Sequence, residues 1–336
     1  MAGVNQSLCL SRSDLKVLHI VPGMDDVANG MVVVAKLLAK EQGEAEVVDL
    51  NHEIHESGVE EVWVHGMWLP KEWLACWRAL RAGKRLVRMT HGSLSPLYLK
   101  CQSPFKKWLV GPIERWCLRR CSKIVATCEA EAEWIRAYEP RVKSIEVTDI
   151  KRFFNLNPVN PVNPVKKDLH LLYLGRRHPL KGVEYLEAAV RQIQESSAHS
   201  ASLRLCVKYV SSAFGDELER VWDWCDVLVL PTLSENFGLV IAEALERGKR
   251  VITTDGAPAW GENLSRVERV DRVDVSRQER KERKDDSRVE RVDGGMWSGY
   301  GGRLIYLKGY RDGTDEERVE LLKKAIDMLK HDGNMV

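Results

Sequence analysis

Several features that would place this 336-residue chain in a familiar class are missing from it. No apolar run reaches the roughly 20 residues that a membrane-spanning helix needs, so no such helix is predicted. The eight cysteines form no Cys-x-x-Cys pair and no zinc-type spacing, which favours reduced thiols over a metal centre. The 51 basic and 49 acidic residues leave a formal net charge of +2, so no overall field favours nucleic acid.

Three sequence signatures are also absent. The chain has no Gly-x-Gly-x-x-Gly, the fingerprint of dinucleotide binding, and no Asp-x-Asp pair to hold a divalent metal. Residues 1–13 lack a basic start followed by an apolar core, so we expect a flexible tail there and no signal peptide. Reduced thiols and the lack of a leader favour a cytoplasmic protein.

The most informative segment of the chain is residues 227–245, which have a strand–loop–helix pattern. The apolar run Val227–Leu230 is typical of a buried parallel strand, and Pro231 ends it. A helical pattern opens at Gly238, which leaves Ser234–Asn236 in a strand-to-helix loop. Ligands of open α/β sheets bind at such loops, and the free N–H groups of residues 236–238 would face an anion such as phosphate.

Two glutamates frame this loop. Glu235 and Glu243 are eight residues apart, about 12 Å if the whole interval is helical at 1.5 Å per residue. That is the span of a ligand with a sugar at one end and a ribose at the other. Taken alone, the pair also fits an ordinary solvent-facing loop with two helix glutamates.

The segment Leu-Pro-Thr-Leu-Ser-Glu-Asn-Phe-Gly, residues 230–238, together with Glu243, resembles the Glu-x7-Glu signature of retaining GT-B glycosyltransferases. The resemblance is to glycosyltransferase family 4, which includes bacterial lipopolysaccharide and capsule enzymes. It implies an α/β protein with two Rossmann-like domains facing a cleft. It also implies that Glu235 is a catalytic residue that contacts the donor sugar and that Glu243 contacts the ribose. Further donor-binding positions are Asn236, Phe237, Gly238 and Leu239.

A basic loop opens the second half of the chain. The apolar strand Leu169–Leu174 is followed by a loop that contains Arg176 and Lys181. Such cations can neutralise a diphosphate, although on a loop they can equally serve solubility. The loop is similar to the family's Gly-Arg…Lys-Gly motif for the donor pyrophosphate, which assigns Arg176 and Lys181 to that role.

Histidine–glycine pairs follow two predicted strands of the first half. His65 follows Val62–Val64, and His91 follows the strand that ends at Met89. The resemblance places His91 against the donor sugar as a catalytic residue, whereas His65 is structural or on the acceptor side. Asn29 and Gly30 match loosely a family loop that faces the cleft, and a plain tight turn is the alternative there.

These elements predict a domain order. It comprises a tail (1–13), a Rossmann-like acceptor domain (14–150), a linker (151–168), a nucleotide-sugar donor domain (169–314) and a C-terminal helix (315–336). Repeated prolines in 157–165 predict a stiff linker. The alternating charges of 266–293 predict a solvated helix or a disordered insertion within the donor domain.

The predicted function is retaining, metal-independent glycosyl transfer from a nucleotide-diphosphate sugar to a glycan or lipid-linked acceptor, with no cofactor and no nucleic acid. The pathway implied is lipopolysaccharide or exopolysaccharide synthesis. The Trp- and Arg-rich helix predicted over 104–120, kinked or split at Gly111–Pro112, is interpreted as a core helix, with peripheral contact at the inner membrane as the alternative.

The second half is shorter than the family pattern, by one strand–helix unit and a glycine-rich loop near the base. This difference favours a non-catalytic GT-B scaffold that binds a partner or membrane as one alternative. A sugar-nucleotide epimerase is a second, and a phosphorylase would need pyridoxal phosphate, for which the sequence offers no convincing lysine.

Overall fold

A computed structural model of the chain describes residues 16–26, 29–54, 58–156, 168–196, 204–262, 290–293, 296–299 and 303–332. The chain divides into two compact units, Met1–Thr148 and Asp149–Val336. Within the described ranges, no helix is both long and apolar enough to cross a bilayer. The predicted tail 1–13 and the proline repeat 157–165 lie outside these ranges.

The first unit is built on a parallel sheet whose described strands have the order β2-β1-β3-β4-β5-β6. Strands β1, β3 and β4 are almost wholly buried, as expected where helices cover both faces of a sheet. The elements along the chain are β1 (Val17–Val21), α1 (Gly30–Gln42), β2 (Ala45–Asp49), β3 (Glu61–His65), α2 (Pro70–Arg81), β4 (Arg85–Met89), α3 (Pro96–Cys101), α4 (Pro104–Arg120), β5 (Lys123–Ala126), α5 (Glu129–Tyr138) and β6 (Ile145–Val147).

The second unit repeats the same topology. Its sheet has the order β11-β12-β13-β10-β9-β7-β8, parallel from β13 to β8 and antiparallel beyond β13. After a 3₁₀ turn at Ile150–Phe153, the elements are β7 (Asp168–Leu174), α6 (Val183–Ser196), β8 (Arg204–Val210), α7 (Gly215–Trp224), β9 (Val227–Leu230), α8 (Leu239–Glu246), β10 (Arg250–Thr254), β11 (Glu290–Asp293), β12 (Met296–Gly299), β13 (Leu304–Leu307) and α9 (Asp315–Asp332).

Strand order reverses once in the parallel part of each sheet. The reversal lies between β1 and β3 in the first unit and between β7 and β9 in the second. At this point one strand connects to a helix on one side of the sheet and its neighbour to a helix on the other, so the loops at their carboxyl ends diverge. They leave a crevice, and folds of this kind bind ligands there. The predicted α/β class with two Rossmann-like domains is thereby confirmed.

Two local expectations need correction. The predicted charged insertion 266–293 ends in a strand, because Glu290–Asp293 forms β11 and pairs with β12; the remainder lies outside the described residues. Of the two possibilities given for Gly111–Pro112, a kink or a split, the split is excluded, because helix α4 runs from Pro104 to Arg120 as one element. A proline removes only one helical hydrogen bond, and packing of the buried residues on either side of it offsets that loss.

The first residues of the predicted linker and the last helix both belong to the second unit. Lys151 Nζ donates to the Ala259 carbonyl oxygen at 2.8 Å, and Asn155 N donates to Glu246 Oε1 at 3.2 Å. Helix α9 packs against α6 through its apolar face. Residues 151–155 are therefore anchored to this unit.

A buried ion pair organises one side of the first unit. Arg88 Nη1 lies 3.0 Å from Glu114 Oε2, and both side chains are fully buried. Arg88 also donates to the Gly66 carbonyl oxygen at 3.1 and 3.2 Å. The other carboxylate oxygen of Glu114 accepts from Trp68 N and from Trp73 Nε1. The pair thus fixes the backbone that follows β3.

Two loops approach each other closely in the second unit. Gly182 has φ +61°, and a Cβ atom there would lie 2.2 Å from the Pro231 carbonyl oxygen. Only glycine fits such a position, because any side chain would collide with backbone. Glycine at 182 therefore holds the loop after β7 against the loop after β9.

We expect Glu114→Ala to lower the free energy of unfolding by about 3–5 kcal/mol, since Arg88 would keep a buried charge without a partner. Urea denaturation followed by tryptophan fluorescence measures this loss. The control is Glu146→Ala, which removes the half-exposed pair to Lys123 (3.0 Å) and should cost about 1 kcal/mol or less. Equal losses for the two variants would show that the buried pair contributes no more to stability than the half-exposed pair.

Gly182→Ala should destabilise the protein more than Gly215→Ala does. Both glycines have positive φ, +61° and +53°, but a Cβ at Gly215 meets nothing within 4 Å. Backbone strain of roughly 1–2 kcal/mol is common to both variants. The difference between their free energies of unfolding therefore measures the collision at position 182, and we expect that difference to be about 1–3 kcal/mol. If the two variants unfold alike, the loops are not packed as described.

Candidate functional site

The two loops at the strand reversal of the second unit are joined by hydrogen bonds. The Leu180 carbonyl oxygen accepts from Leu233 N at 2.8 Å, from Ser234 N at 3.3 Å and from Thr232 Oγ1 at 3.0 Å. Leu180 belongs to the loop after β7, and the three donors belong to the loop after β9. The loops therefore form one continuous rim at the carboxyl edge of the sheet.

Lys181 and Glu235 form an ion pair across this rim. Lys181 Nζ contacts Glu235 Oε2, and the two side chains are 23% and 20% exposed. Glu235 N donates to the Gly256 carbonyl oxygen at 2.8 Å, which holds the glutamate backbone to the loop after β10. The structure thus brings together an acid and a base that the sequence placed 54 residues apart.

One predicted feature of this loop needs correction. The Asn236 N–H was expected to be free to face a bound anion such as phosphate, but it donates to Glu235 Oε1 at 3.2 Å. The neighbouring carboxylate therefore occupies this donor.

Arg176 lies on the same loop as Lys181, and its side chain is exposed. Tyr173 Oη donates to the Arg176 carbonyl oxygen at 2.9 Å, which fixes the turn after β7. Burial, with Glu235 nearby, raises the pKa of Tyr173 to about 12, so its hydroxyl stays a donor at neutral pH. The neighbouring Arg177 is instead engaged with Glu187.

Helix α8 starts directly behind the loop. Gly238 caps it in the left-handed conformation (φ +71°) and Leu239 is its first residue. Phe237 is buried, and its carbonyl oxygen accepts from Trp260 Nε1 at 2.6 Å. Glu243 is half-buried, and burial raises the pKa of its carboxyl. Because Glu235 lies outside the helix, the 12 Å estimate of its separation from Glu243, which assumed helix throughout, does not apply.

The first unit carries His91 in a strained loop after β4. His91 has φ +49° and Gly92 has φ +72°. A single carboxylate holds this loop: Glu131 Oε1 accepts from Thr90 Oγ1 and Gly92 N, both at 2.6 Å. Glu131 Oε2 accepts from Thr127 N and Oγ1, both at 2.8 Å. Left-handed backbone costs a non-glycine residue about 1–3 kcal/mol, and four hydrogen bonds to one buried acid offset that cost.

Three histidines are hydrogen-bonded in a row. His19 Nδ1 lies 2.9 Å from His65 Nε2, and His65 Nδ1 lies 2.8 Å from His91 Nε2. Burial lowers the pKa of His19 to about 4 and that of His91 to about 3. Burial, with the two flanking rings, lowers the pKa of His65 well below its usual value. All three rings are therefore neutral at pH 7.

Asn29, predicted as a loosely matching cleft residue, serves as the cap of α1. Its Oδ1 accepts from Met31 N at 3.1 Å and its Nδ2 donates to the Pro22 carbonyl oxygen at 2.6 Å. Gly30 is the first residue of that helix. Both are thus placed at the strand reversal of the first unit, with the Asn29 side chain occupied by its own loop.

Sequence reasoning missed Glu131 and the partners of the histidines. Glu131 belongs to a run of alternating glutamates, and nothing in the sequence distinguishes it from its exposed neighbour Glu129. His19 lies inside the apolar strand β1. A polar residue within a buried apolar run was the one sign that its side chain has a hydrogen-bonding role. Gln42 carries no signal, because it is the last residue of a surface helix.

One group of potential metal ligands occurs in the described part of the chain. Asp168, His170 and Cys206 offer ligand atoms that lie within 4.8 Å of one another. They lie near the amino ends of β7 and β8, whereas Lys181 and Glu235 follow the carboxyl ends of strands. His170 Nδ1 is already 3.1 Å from Asp226 Oδ2. This group is therefore not part of the candidate site.

Each half of the chain is similar to a known protein family. Residues 30–148 match the glycosyl transferase 4-like domain, and residues 168–272 match glycosyl transferases group 1. An uncharacterized glycosyltransferase of Methanocaldococcus jannaschii is 31% identical in an alignment 103 residues long, and the match covers 25% of this chain and 26% of that relative. The match spans about a quarter of the relative's length.

Solved structures share the fold at low sequence identity. Sucrose-phosphate synthase from Thermosynechococcus elongatus has a TM-score of 0.52 at 13% identity, over 95% of this chain and 93% of that one. The structure described as trehalose-6-phosphate from E. coli bound with UDP-2-fluoro glucose has a TM-score of 0.56 at 11% identity, over 95% and 94%. An alpha,alpha-trehalose-phosphate synthase (UDP-forming) from Burkholderia vietnamiensis has a TM-score of 0.54 at 10% identity, over 95% of both chains.

The chain has the two-domain GT-B fold of these structures. In sequence, its first half is similar to the glycosyl transferase 4-like domain and its second half to glycosyl transferases group 1.

Proposed function

We propose that this protein is a retaining glycosyltransferase that moves a sugar, of the hexose class, from a nucleotide-diphosphate sugar to a glycan or lipid-linked acceptor. The observation that carries the proposal is the Lys181–Glu235 pair on the rim at the β7/β9 reversal. The domain families of both halves support glycosyl transfer. The E. coli neighbour, which is bound with UDP-2-fluoro glucose, motivates a nucleotide sugar as donor.

The pair suits a ligand that carries both phosphate and sugar. Lys181 supplies a flexible cation, and Arg176 adds an exposed planar guanidinium on the same loop. Glu235 keeps the Lys181 ammonium at the rim by their ion pair. When a diphosphate binds, the ammonium can turn to the phosphate oxygens, and Glu235 is then released to accept hydrogen bonds from sugar hydroxyls.

The reaction breaks the bond between the sugar C1 and the diphosphate oxygen and forms a bond from C1 to the acceptor oxygen on the same face. The acceptor proton passes to the departing phosphate oxygen. Negative charge grows on the diphosphate as the bond breaks, so Lys181 and Arg176 stabilise the transition state more than the ground state. These side chains supply the positive charge, so the proposal calls for no metal and no cofactor.

The family resemblance supplies the remaining roles within this proposal. Glu243 holds the ribose hydroxyls, and Phe237, Gly238 and Leu239 line the start of α8 at the donor. His91 contacts the donor sugar. Lipopolysaccharide or exopolysaccharide synthesis is the pathway we propose, at the cytoplasmic face of the inner membrane.

An exposed apolar stripe on α4 supports the lipid-linked acceptor. Phe105, Trp108 and Leu109 are 67%, 73% and 53% exposed, and with Ile113 they recur at helical spacing on one side. The charged side chains that α4 turns outward are all basic, because its one acid, Glu114, is buried with Arg88. Apolar residues flanked by positive charge suit the surface of an anionic bilayer. The interpretation of this segment as a plain core helix fails for these exposed residues.

We expect Lys181→Ala and Glu235→Ala each to lower kcat/KM by about 10²–10³-fold, the loss typical of removing one charge-stabilising group. The assay supplies purified protein with a panel of nucleotide sugars and follows hydrolysis or transfer. Arg177→Ala is the matched control, because it removes a cation from the same loop that is engaged with Glu187. The anomeric configuration of the product, read by NMR, tests retention.

Unchanged rates in both variants would show that the assigned site is wrong. Calorimetry with UDP, GDP and ADP distinguishes the alternatives: absence of binding would favour a non-catalytic scaffold. Conversion of the nucleotide sugar without any acceptor, to a C2 or C4 epimer, would favour an epimerase.

Phe105→Ser with Trp108→Ser should weaken binding to vesicles of phosphatidylglycerol by about tenfold or more, since burial of each large apolar side chain contributes about 1.5–3 kcal/mol. Cosedimentation measures the partition. Phe214→Ser in the other unit removes a side chain that is 45% exposed and serves as the control. A dimer that depends on Trp108, with no vesicle binding, would assign the stripe to a second copy instead.

A further inference from the structure

The chain of three histidines ends on a fourth polar side chain. Gln42, at the end of α1, has its Oε1 atom 2.7 Å from His19 Nε2. The full series therefore runs Gln42–His19–His65–His91, with ring nitrogens 2.8–2.9 Å apart. It links a helix end on the first unit to the loop at the carboxyl end of β4.

Neutral imidazoles leave such a series only two arrangements. Each neutral ring has one N–H donor and one bare nitrogen that accepts. A ring that donates through one nitrogen must accept through the other, so the direction of the first hydrogen bond fixes every bond that follows. Either all three rings donate toward Gln42, or all three donate away from it.

The orientation of the Gln42 amide corresponds to the first arrangement. The amide turns its oxygen, and not its NH₂ group, toward His19. That oxygen only accepts, so His19 carries its proton on Nε2 and accepts on Nδ1. His65 then donates from Nε2 and accepts on Nδ1, and His91 donates from Nε2 to His65. The remaining nitrogen of His91, Nδ1, is left bare, and it has no hydrogen-bond partner among the described residues.

We propose that Gln42 is a positioning residue that sets the tautomer of His91 through His19 and His65, so that His91 Nδ1 accepts a hydrogen bond from a hydroxyl of the sugar substrate. The identity of that substrate rests on the proposed function, whereas the tautomer does not. A bare nitrogen accepts from a hydroxyl but repels carbonyl, carboxylate and phosphate oxygens. The arrangement therefore makes His91 an acceptor, which suits a sugar hydroxyl and excludes a phosphate or carboxylate oxygen.

Two substitutions at Gln42 test the direction of the series. Gln42→Glu keeps an acceptor beside His19 and should preserve the tautomers. Gln42→Lys places a donor there, so all three rings should reverse and His91 should carry its proton on Nδ1. Gln42 is half-buried at a helix end, which can admit both side chains. Glu41→Gln, at the adjacent exposed position, makes the same +1 change in charge as Gln42→Lys and is its control.

The measurement is the ¹⁵N NMR spectrum of the full chain labelled at histidine, in which protonated and bare ring nitrogens have widely separated shifts. We expect His91 to be protonated on Nε2 in the native protein and in Gln42→Glu, and on Nδ1 in Gln42→Lys. His91 protonated on Nδ1 in the native protein, or the same tautomer in both variants, would overturn the proposal.

Kinetics supply the second readout. Gln42→Lys should raise KM for the donor or lower kcat/KM by about tenfold, as expected when a hydroxyl loses its acceptor, while Gln42→Glu and Glu41→Gln stay near the native values. Equal activity of Gln42→Lys and Gln42→Glu, despite reversed tautomers, would refute the role in hydroxyl recognition. If His91 has the expected tautomer but the protein shows no activity with any nucleotide sugar, the proposed function is wrong and the tautomer assignment stands.

Discussion

Both units depend on a constraint that parallel sheets impose. A strand in such a sheet has neighbours on both edges and helices on both faces, so its side chains cannot reach a ligand along most of its length. Only the loops beyond the strand ends are free to do so, and they diverge where the strand order reverses. Lys181 and Glu235 occupy these loops in the second unit, and the histidines converge on them in the first.

Buried carboxylates give these loops their shape. Glu131 from α5 ties the turn that contains His91, and Glu114 from α4 holds the backbone after β3. In each case a helix on the face of the sheet sends one acid to unpaired N–H groups at a strand end. A buried acid is costly unless its oxygens are used, and here several donors meet each one. The shape of these loops in the first unit thus depends on two acids that are fully buried beneath them.

The sequence predicted much of the fold because apolar runs mark buried strands directly. Strand β9 was placed at its observed bounds, Val227–Leu230, since an apolar run that Pro231 closes defines its end. Strands β11 and β12 were not foreseen, because their composition is polar or mixed and the charge pattern that includes β11 predicted a solvated helix or a disordered insertion. For the site, motif resemblance selected Lys181 and Glu235, but not their ion pair, since contacts over 54 positions leave no local pattern. Glu131 and Gln42 could not be found, because burial and hydrogen bonding decide their roles.

Pro112 limits how the α4 stripe can meet lipid. A helical residue donates its N–H to the carbonyl four positions earlier, and proline has none, so the carbonyl oxygen of Trp108 loses its helical partner. That oxygen belongs to the most exposed residue of the stripe and needs water or a lipid headgroup as its donor. Hydrocarbon offers neither. The helix would therefore rest at headgroup depth, where attachment is shallow and reversible, and the protein could leave the bilayer between encounters without extracting a buried backbone.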